Sequence, residues 1–243
     1  MTTSPAGPRR RRSSRRILGT VGEVMFTVGL ILLLFVGYQL MWTNISAAQA
    51  ADRAAAQVQT QWAAQETPSP TEDGPREATP AAEQPEIGTP FGLFYIPRLR
   101  DKVWGLPLIQ GVGPDQLAQG IGHYVGTAMP GELGNFATAG HRATHGEPLR
   151  NIDQLEKGDQ VIVETATSWY TYTLDRSKIV SPFDVWVIDP VPGEPDSTPT
   201  EAIITLTSCN PRWASTERFI WWGSLVDTTP KSSGERPAAL EEG

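Results

Sequence analysis

Apolar residues are distributed along this chain in three regimes, and each regime predicts a different kind of structure. From Val24 to Trp42 they run almost unbroken for nineteen residues. At ~1.5 Å per residue that is a helix of ~28 Å, close to the hydrocarbon thickness of a bilayer. From residue 43 to 88 the pattern dissolves. Ile45 to Gln65 is rich in Ala and Gln and reads as a frayed helix leaving the membrane. Glu66 to Pro85 is Pro, Glu, Thr and Ala, with almost nothing able to join a core, so residues 43–88 read as a flexible spacer. The third regime, residues 89–228, is built of short runs rich in Val, Ile, Thr, Tyr and Trp, separated by Gly, Pro, Asp or Ser. These predict strands at Gly92–Leu99, Gly105–Gln110, Asn135–Ala139, Gln160–Thr165, Tyr170–Val180, Asp184–Ile188, Ala202–Cys209 and Phe219–Val226. One helix is expected at Pro114–Ile121, with Pro in its first turn and Gly122 near its end, and a short turn at Leu149–Leu155. About eight strands with little helix predict an all-β barrel or sandwich. The tail, Thr229 to Gly243, is polar and is expected to be disordered.

Charge gives the apolar segment a direction. Six arginines precede it between Arg9 and Arg16, and no Lys or Arg follows it until Arg53. That asymmetry places residues 1–23 in the cytoplasm as a basic tail, residues 24–42 in the membrane and the remainder outside. Tyr38 and Trp42 sit at the far end of the span, where interfacial aromatics belong, and Glu23 lies at its cytoplasmic edge. A cleaved signal peptide is the alternative, with Ala47–Ala50 offering small residues, but its apolar core would be shorter, ~7–15 residues. The chain is formally −7; removing the +6 of the six arginines leaves −13 on residues 17–243. An ectodomain that acidic does not suit nucleic acid.

Candidate chemistry is concentrated in two places. The chain's one cysteine, Cys209, ends the run Ala202-Ile-Ile-Thr-Leu-Thr-Ser-Cys209, and eight residues separate it from Arg218, which opens Arg218-Phe-Ile-Trp-Trp222. A lone cysteine cannot form an intramolecular disulfide. It is either a buried apolar filler or a nucleophile, and polar neighbours with a nearby arginine favour the thiolate reading. The second place is Ala139-Gly-His-Arg-Ala-Thr-His145-Gly146, where glycine flanks a histidine at a strand end. His141 and His145 have H-x₃-H spacing and Cys209 would be a third ligand for zinc, but the flanking glycines argue against the helix that would align them. His145 and His123 are read as solvated loop histidines.

Together, Cys209, His141 and Arg218 resemble the sortase family, and the resemblance covers nearly all of Phe91 to Asp227 as well as the anchor and linker. It is carried by Gly122-His-Tyr-Val-Gly-Thr127, Pro130-Gly-Glu-Leu-Gly-Asn-Phe136, Ala139-Gly-His-Arg142, Thr205-Leu-Thr-Ser-Cys209 and Asn210-Pro-Arg-Trp213. The family pattern before the cysteine usually ends in threonine; Ser208 stands there and keeps the hydroxyl. The sequence is most similar to the class E branch of actinobacteria, and sixteen Arg against four Lys agree with a high-GC genome.

The resemblance implies an eight-stranded sortase-type barrel with one or two short helices. It implies a cysteine transpeptidase of Gram-positive bacteria that needs no cofactor or metal. Such an enzyme cuts a C-terminal LAxTG or LPxTG sorting signal between Thr and Gly. It then joins the new carboxyl to an amine of a peptidoglycan precursor or pilin. The implied partners are secreted proteins bearing that signal, the amine acceptor and membrane lipid. Cys209 would be the nucleophile, His141 the proton carrier, and Arg218 the support for developing negative charge. Tyr124, Thr207, Ser208 and the loop Asp189–Glu201 would border the peptide. A cysteine hydrolase using the same residues, and a tethered binding module with a structural cysteine, are the alternatives.

Overall fold

The computed structural model describes residues 11–66 and 84–241, so the linker residues 67–83 and the first ten residues lie outside the description. The chain divides into two compact units, one ending at Trp42 and the other starting at Thr43. Helix α1 (Arg11–Glu66) supplies the described part of the first unit and the opening of the second.

In the first unit the helix exposes its apolar side chains, with Phe26, Leu33 and Leu34 all more than half accessible. Such a surface is costly in water and favoured in hydrocarbon. An 18-residue window here has mean hydropathy 2.2, long and apolar enough to cross a membrane, a composition that a signal sequence shares.

The second unit is a closed barrel of eight strands. They are β1 (Pro90–Tyr95), β2 (Trp104–Gln110), β3 (Ile121–His123), β4 (Gly134–Ala139), β5 (Gln160–Glu164), β6 (Ser168–Val180), β7 (Ala202–Asn210) and β8 (Glu217–Pro230). Their order around the barrel is β1-β2-β3-β4-β7-β8-β6-β5, closed by β1 against β5. Two pairs are parallel, β2 with β3 and β4 with β7. Alternation along each strand separates the two faces. Phe94, Leu108, Phe136, Tyr172, Leu206 and Trp221 point inward and form one contiguous core. A smaller cluster outside it joins Val180, Val187, Ile220 and Trp222.

The structure departs from the sequence expectations at four points. The expected helix Pro114–Ile121 is only Pro114–Leu117 (α2), and Ile121 begins β3 instead. This short strand fits because Gly122 has no side chain: a Cβ there would sit 2.5 Å from the Gly111 carbonyl oxygen. The expected strand Asp184–Ile188 is a 3₁₀ turn, Val185–Ile188, which lays Val187 on the outer face of the barrel. The helix read as frayed at Ile45–Gln65 is continuous to Glu66 and is not a free spacer, since Ala47, Ala54 and Val58 are buried. Spacings of seven and four put these three on one stripe of the helix. Val58 packs with Leu93, Tyr95, Ile162 and Trp169, while Trp62 lies under the Lys231 ammonium, 3.7 Å from ring centre to Nζ. The tail joins the same cluster through Leu240, so the described part of it, through Glu241, is ordered against the barrel.

His123 is a further departure, because β3 buries it completely instead of leaving it in a solvated loop. Its ring nitrogens lie 2.7 Å from Gln110 Oε1 and 3.0 Å from the Ala128 carbonyl. Burial pushes its pKa down to about 4, outweighing the hydrogen bond to Ala128 and the charge of Glu132. The unfolded chain, with an ordinary histidine near ~6.5, therefore binds this proton first. The stability held by neutral His123 is complete above pH 6.5 and falls as pH drops toward 4. At ~1.4 kcal/mol per pKa unit, the loss is on the order of 3 kcal/mol. His123→Gln, which cannot titrate, should be less stable at pH 7 but lose that much less between pH 7 and 4. Denaturant titrations of both proteins at several pH values check this; parallel curves would refute it.

Candidate active site

Three adjacent strand ends bring the candidate residues together. β7 lies between β4 and β8. On one side it runs parallel to β4, with Thr207 beside Ala139 and the Gly140 amide donating to the Thr207 carbonyl at 3.1 Å. On the other it is antiparallel to β8, with Cys209 opposite Arg218. Two residues beyond the Ala139–Thr207 pair, the chain of β4 carries His141 past the end where β7 carries Cys209. Neighbouring strands are ~4.8 Å apart, so the backbone positions of His141, Cys209 and Arg218 form a row across three adjacent segments with Cys209 in the middle. Gly140 lets the chain pass close under its neighbours on the way to His141, since a Cβ there would meet Ile121 Cδ1 and Leu149 Cγ at 2.9 Å.

His141 is half-buried, and its ring stacks on that of His145 at 4.9 Å between centroids and 27° between planes. Burial, and secondarily the charge of His145, hold its pKa below the ordinary value. The ring is thus a neutral base at pH 7. The two imidazoles present faces to each other, not the converging lone pairs that a shared zinc ion would require. Cys209 is a free thiol, partly exposed.

Arg218 donates from Nη1 to the carbonyls of Ser215 (3.1 Å) and Glu217 (2.8 Å). The Glu217 carboxylate instead accepts from Asn210 Nδ2 at 2.7 Å. Among the described residues no carboxylate pairs with Arg218. Its charge is oriented by backbone dipoles and stays available.

Alternation puts Thr205 and Thr207 on the outer face of β7, with Ile204 and Leu206 in the core. A groove of about 230 Å³ lies over that face, lined by Tyr124, Val187, Ile188, Thr207, Arg218 and Ile220 among others. The hydroxyls of Tyr124 and Thr207 are 3.1 Å apart on its floor. Ser208 is not part of this groove. It pairs with Phe219, which packs on the core, and its hydroxyl donates to the Gly140 carbonyl at 2.8 Å. Its role is to tie β7 to β4 beside His141. Nor does the loop Asp189–Glu201 wall the groove: the 3₁₀ turn before it does, while Pro190 and Pro199 border a separate pocket near Leu133.

Two residues with a bearing on the site escaped the sequence reading. Arg142 is buried and donates from Nη1 to the Cys209 carbonyl (3.3 Å) and to Asn210 Oδ1, while Nη2 pairs with Asp153 at 2.9 Å. It fastens the residue after His141 to the strand end that carries the thiol. An arginine in a polar loop gives no sequence sign of that depth; its place next to His141 was the one available clue. Gln84 clamps the turn after Tyr124, accepting from the Gly126 amide at 2.9 Å and donating to the Thr127 carbonyl at 2.7 Å. It lies in the segment read as linker, where nothing distinguishes it.

Residues 94–226 match the family described as Sortase domain. Sortase SrtE1 of Streptomyces coelicolor is 40% identical over 228 residues, which is 90% of this chain and 60% of that protein, so the chain spans about three fifths of that relative's length. Sortase SrtE2 of the same organism is 35% identical over 247 residues, 97% of this chain and 93% of that protein. Among solved structures, sortase E from Streptomyces avermitilis superposes with a TM-score of 0.56 at 41% identity, covering 63% of this chain and 98% of that one. The SrtA sortase from Actinomyces oris gives 0.62 at 37% identity, covering 67% and 93%. On its barrel, its strand order and these matches, the chain belongs to the sortase family of cysteine transpeptidases, with class E sortases among its relatives.

Proposed function

We propose that this protein is a membrane-anchored transpeptidase that cuts a C-terminal sorting signal of LAxTG or LPxTG type between Thr and Gly and transfers the protein to a primary amine. The observation that supports this most is the row His141, Cys209, Arg218 at the rim of a groove with apolar walls and a hydroxyl-bearing floor. The sorting signal would lie along the groove with its Thr carbonyl over Cys209. Transfer of the thiol proton to neutral His141 frees the sulfur to attack that carbonyl. The resulting imidazolium then protonates the departing glycine amine as the C–N bond breaks, leaving a thioester. In the second half-reaction His141 takes a proton from the incoming amine, which displaces the thiol. Arg218 places its fixed positive charge beside the oxyanion in both steps. The acceptor would be an amine of a peptidoglycan precursor or pilin. The protein would be single-pass, with residues 1–23 in the cytoplasm, residues 24–42 in the bilayer and residues 89–228 outside as the catalytic domain.

Cys209→Ala should abolish both cleavage and ligation, and Cys209→Ser should be nearly inactive. Mass spectrometry of products from LAxTG and LPxTG peptides, with and without a glycine-based amine, reads the outcome. Ligated product supports transfer. Hydrolysed product alone, even with amine present, would point to the hydrolase. A Cys209 that resists a mild alkylator and turns over nothing would point to the binding module.

His141→Ala should lower kcat by roughly 10²–10⁴, and Arg218→Ala by roughly 10²–10³. Arg218→Lys should stay impaired, because an ammonium lacks the planar fork. Since His141 must be neutral to accept a proton and its pKa is held down, activity should fall with acid only below pH 6.5. A pH–rate profile with its acid limb above 6.5 would contradict this assignment, as would full activity in Arg218→Lys.

Protease added to intact protoplasts should remove the catalytic domain and leave a small N-terminal fragment in the membrane. A domain protected until lysis would place Cys209 in the cytoplasm, away from its substrates.

A further inference from the structure

The stripe that docks Ala47, Ala54 and Val58 on the barrel also holds one polar residue of the same helix against the histidine loop. Asn44 Oδ1 accepts the Gly146 amide at 3.1 Å, and Asn44 Nδ2 donates to Glu147 Oε1 at 3.4 Å. Ala47 adds apolar contact at the same point, since its Cβ is 3.7 Å from where a Gly146 side chain would begin. The loop so held runs from His141 to Glu147, and its His145 ring is stacked on His141.

This loop is not one that would keep its shape unaided. His145 (φ 54) and Glu147 (φ 52) both lie in the left-handed region, and Gly146 (φ 80) lies between them. Residues with side chains stay in that region only where their surroundings hold them. Glu147 is buried and held from two further directions: its carboxylate pairs with Arg212 of the β7–β8 connection and with Arg150 at 3.6 Å. The third hold, on Gly146 and on the other Glu147 oxygen, comes from Asn44. Without it the Gly146 amide loses its partner and the strained turn loses a restraint on the side facing the helix.

We infer that Asn44 is a positioning residue for His141, and that the helix following the apolar span is part of the catalytic unit and not a spacer. This rests on the transpeptidase reading of His141, but the placement of the loop is separable from it. Asn44 touches neither the thiol nor the groove; it acts by fixing the turn on which His145 backs His141. A helix docked by its apolar stripe holds Asn44 at a fixed height over that turn, which a flexible tether could not do.

The test uses the full chain in detergent micelles with three proteins: wild type, Asn44→Ala and Val58→Ala. The last removes two methyl groups at the far end of the stripe, fourteen residues beyond Asn44, and leaves Ala47 and both Asn44 hydrogen bonds in place, so it controls for lost stability. Asn44→Ala should lower kcat for transfer about tenfold, roughly what two hydrogen bonds of ordinary strength would control, with KM for the signal peptide unchanged. Val58→Ala should lower Tm while keeping kcat. Amide hydrogen exchange over residues 141–147 should quicken about tenfold in Asn44→Ala, whether or not the protein turns over. A wild-type kcat in Asn44→Ala would overturn the inference, as would an equal loss of kcat in Val58→Ala. If the wild-type chain transfers nothing, the transpeptidase reading falls, and exchange over 141–147 left unchanged by Asn44→Ala would still overturn the positioning of the loop.

Discussion

Everything at the site depends on the register of β7 against its two neighbours. Among the described strands β7 is the one hydrogen-bonded to both β4 and β8, and its last residues carry the thiol. A slip of one residue would turn Cys209 to the other face and replace it at the rim with Ser208 or Asn210. The sequence guards against this with side chains that bond across to the neighbouring backbone. Thr138 donates to the Thr205 carbonyl at 2.8 Å, Thr207 to the Thr138 carbonyl at 3.0 Å, and Ser208 to the Gly140 carbonyl at 2.8 Å. Thr205 also donates to Asn135 Oδ1 at 2.6 Å. All of these hydroxyls are buried, so a slipped register would strand them at ~1–3 kcal/mol each. The run Thr205-Leu-Thr-Ser208 is therefore a lock on strand alignment as well as a lead-in to the cysteine.

The same lock explains why the two faces of β7 can do different work. Leu206 and its inward neighbours commit one face to the core, which fixes the strand in the barrel wall. The other face is left to the groove, where the Val185–Ile188 turn roofs Thr205 and leaves Thr207 reachable. Asn135 supports that roof by donating to the carbonyls of Val187 (3.3 Å) and Asp189 (3.0 Å). A polar residue at the start of β4 thus sets the height of the groove wall while its strand delivers His141 at the other end.

How much of this was legible in the sequence follows from how local each signal is. Seven of the eight expected strands are strands because β-branched alternation is a property of a few neighbouring residues. The strand-end positions of the candidates Cys209, His141 and Arg218 were legible from the apolar runs that lead into or out of them. What was not legible depends on contacts far apart in the chain. β3 is three residues long, too short to show a period, and is fixed by pairing with β2 and β4. The turn Val185–Ile188 has strand composition, but its partners are outer-face residues of β4 and β8. Ser208 and Thr207 look alike as hydroxyls, and only the strand's parity separates groove floor from register lock. The docking of the helix after Trp42 was hidden by its alanines, since Ala47 and Ala54 make a docking face without the hydrophobic contrast that marks one.

The environments of the two residues flanking the thiol differ in a way that suits the proposed reaction. On the β4 side, burial keeps His141 neutral, so it can take a proton but carries no resting charge. On the β8 side, Arg218 is permanently cationic, and its partners are carbonyls that orient it without cancelling its charge. One flank can therefore move protons and the other can meet an oxyanion, and neither has to do both. Were the positions exchanged between a charged imidazole and a neutralised arginine, the thiol would face a base already occupied and a charge already spent. The fold avoids this with ordinary means: a half-buried ring stacked on a second histidine, and a guanidinium turned toward backbone at the mouth of the barrel.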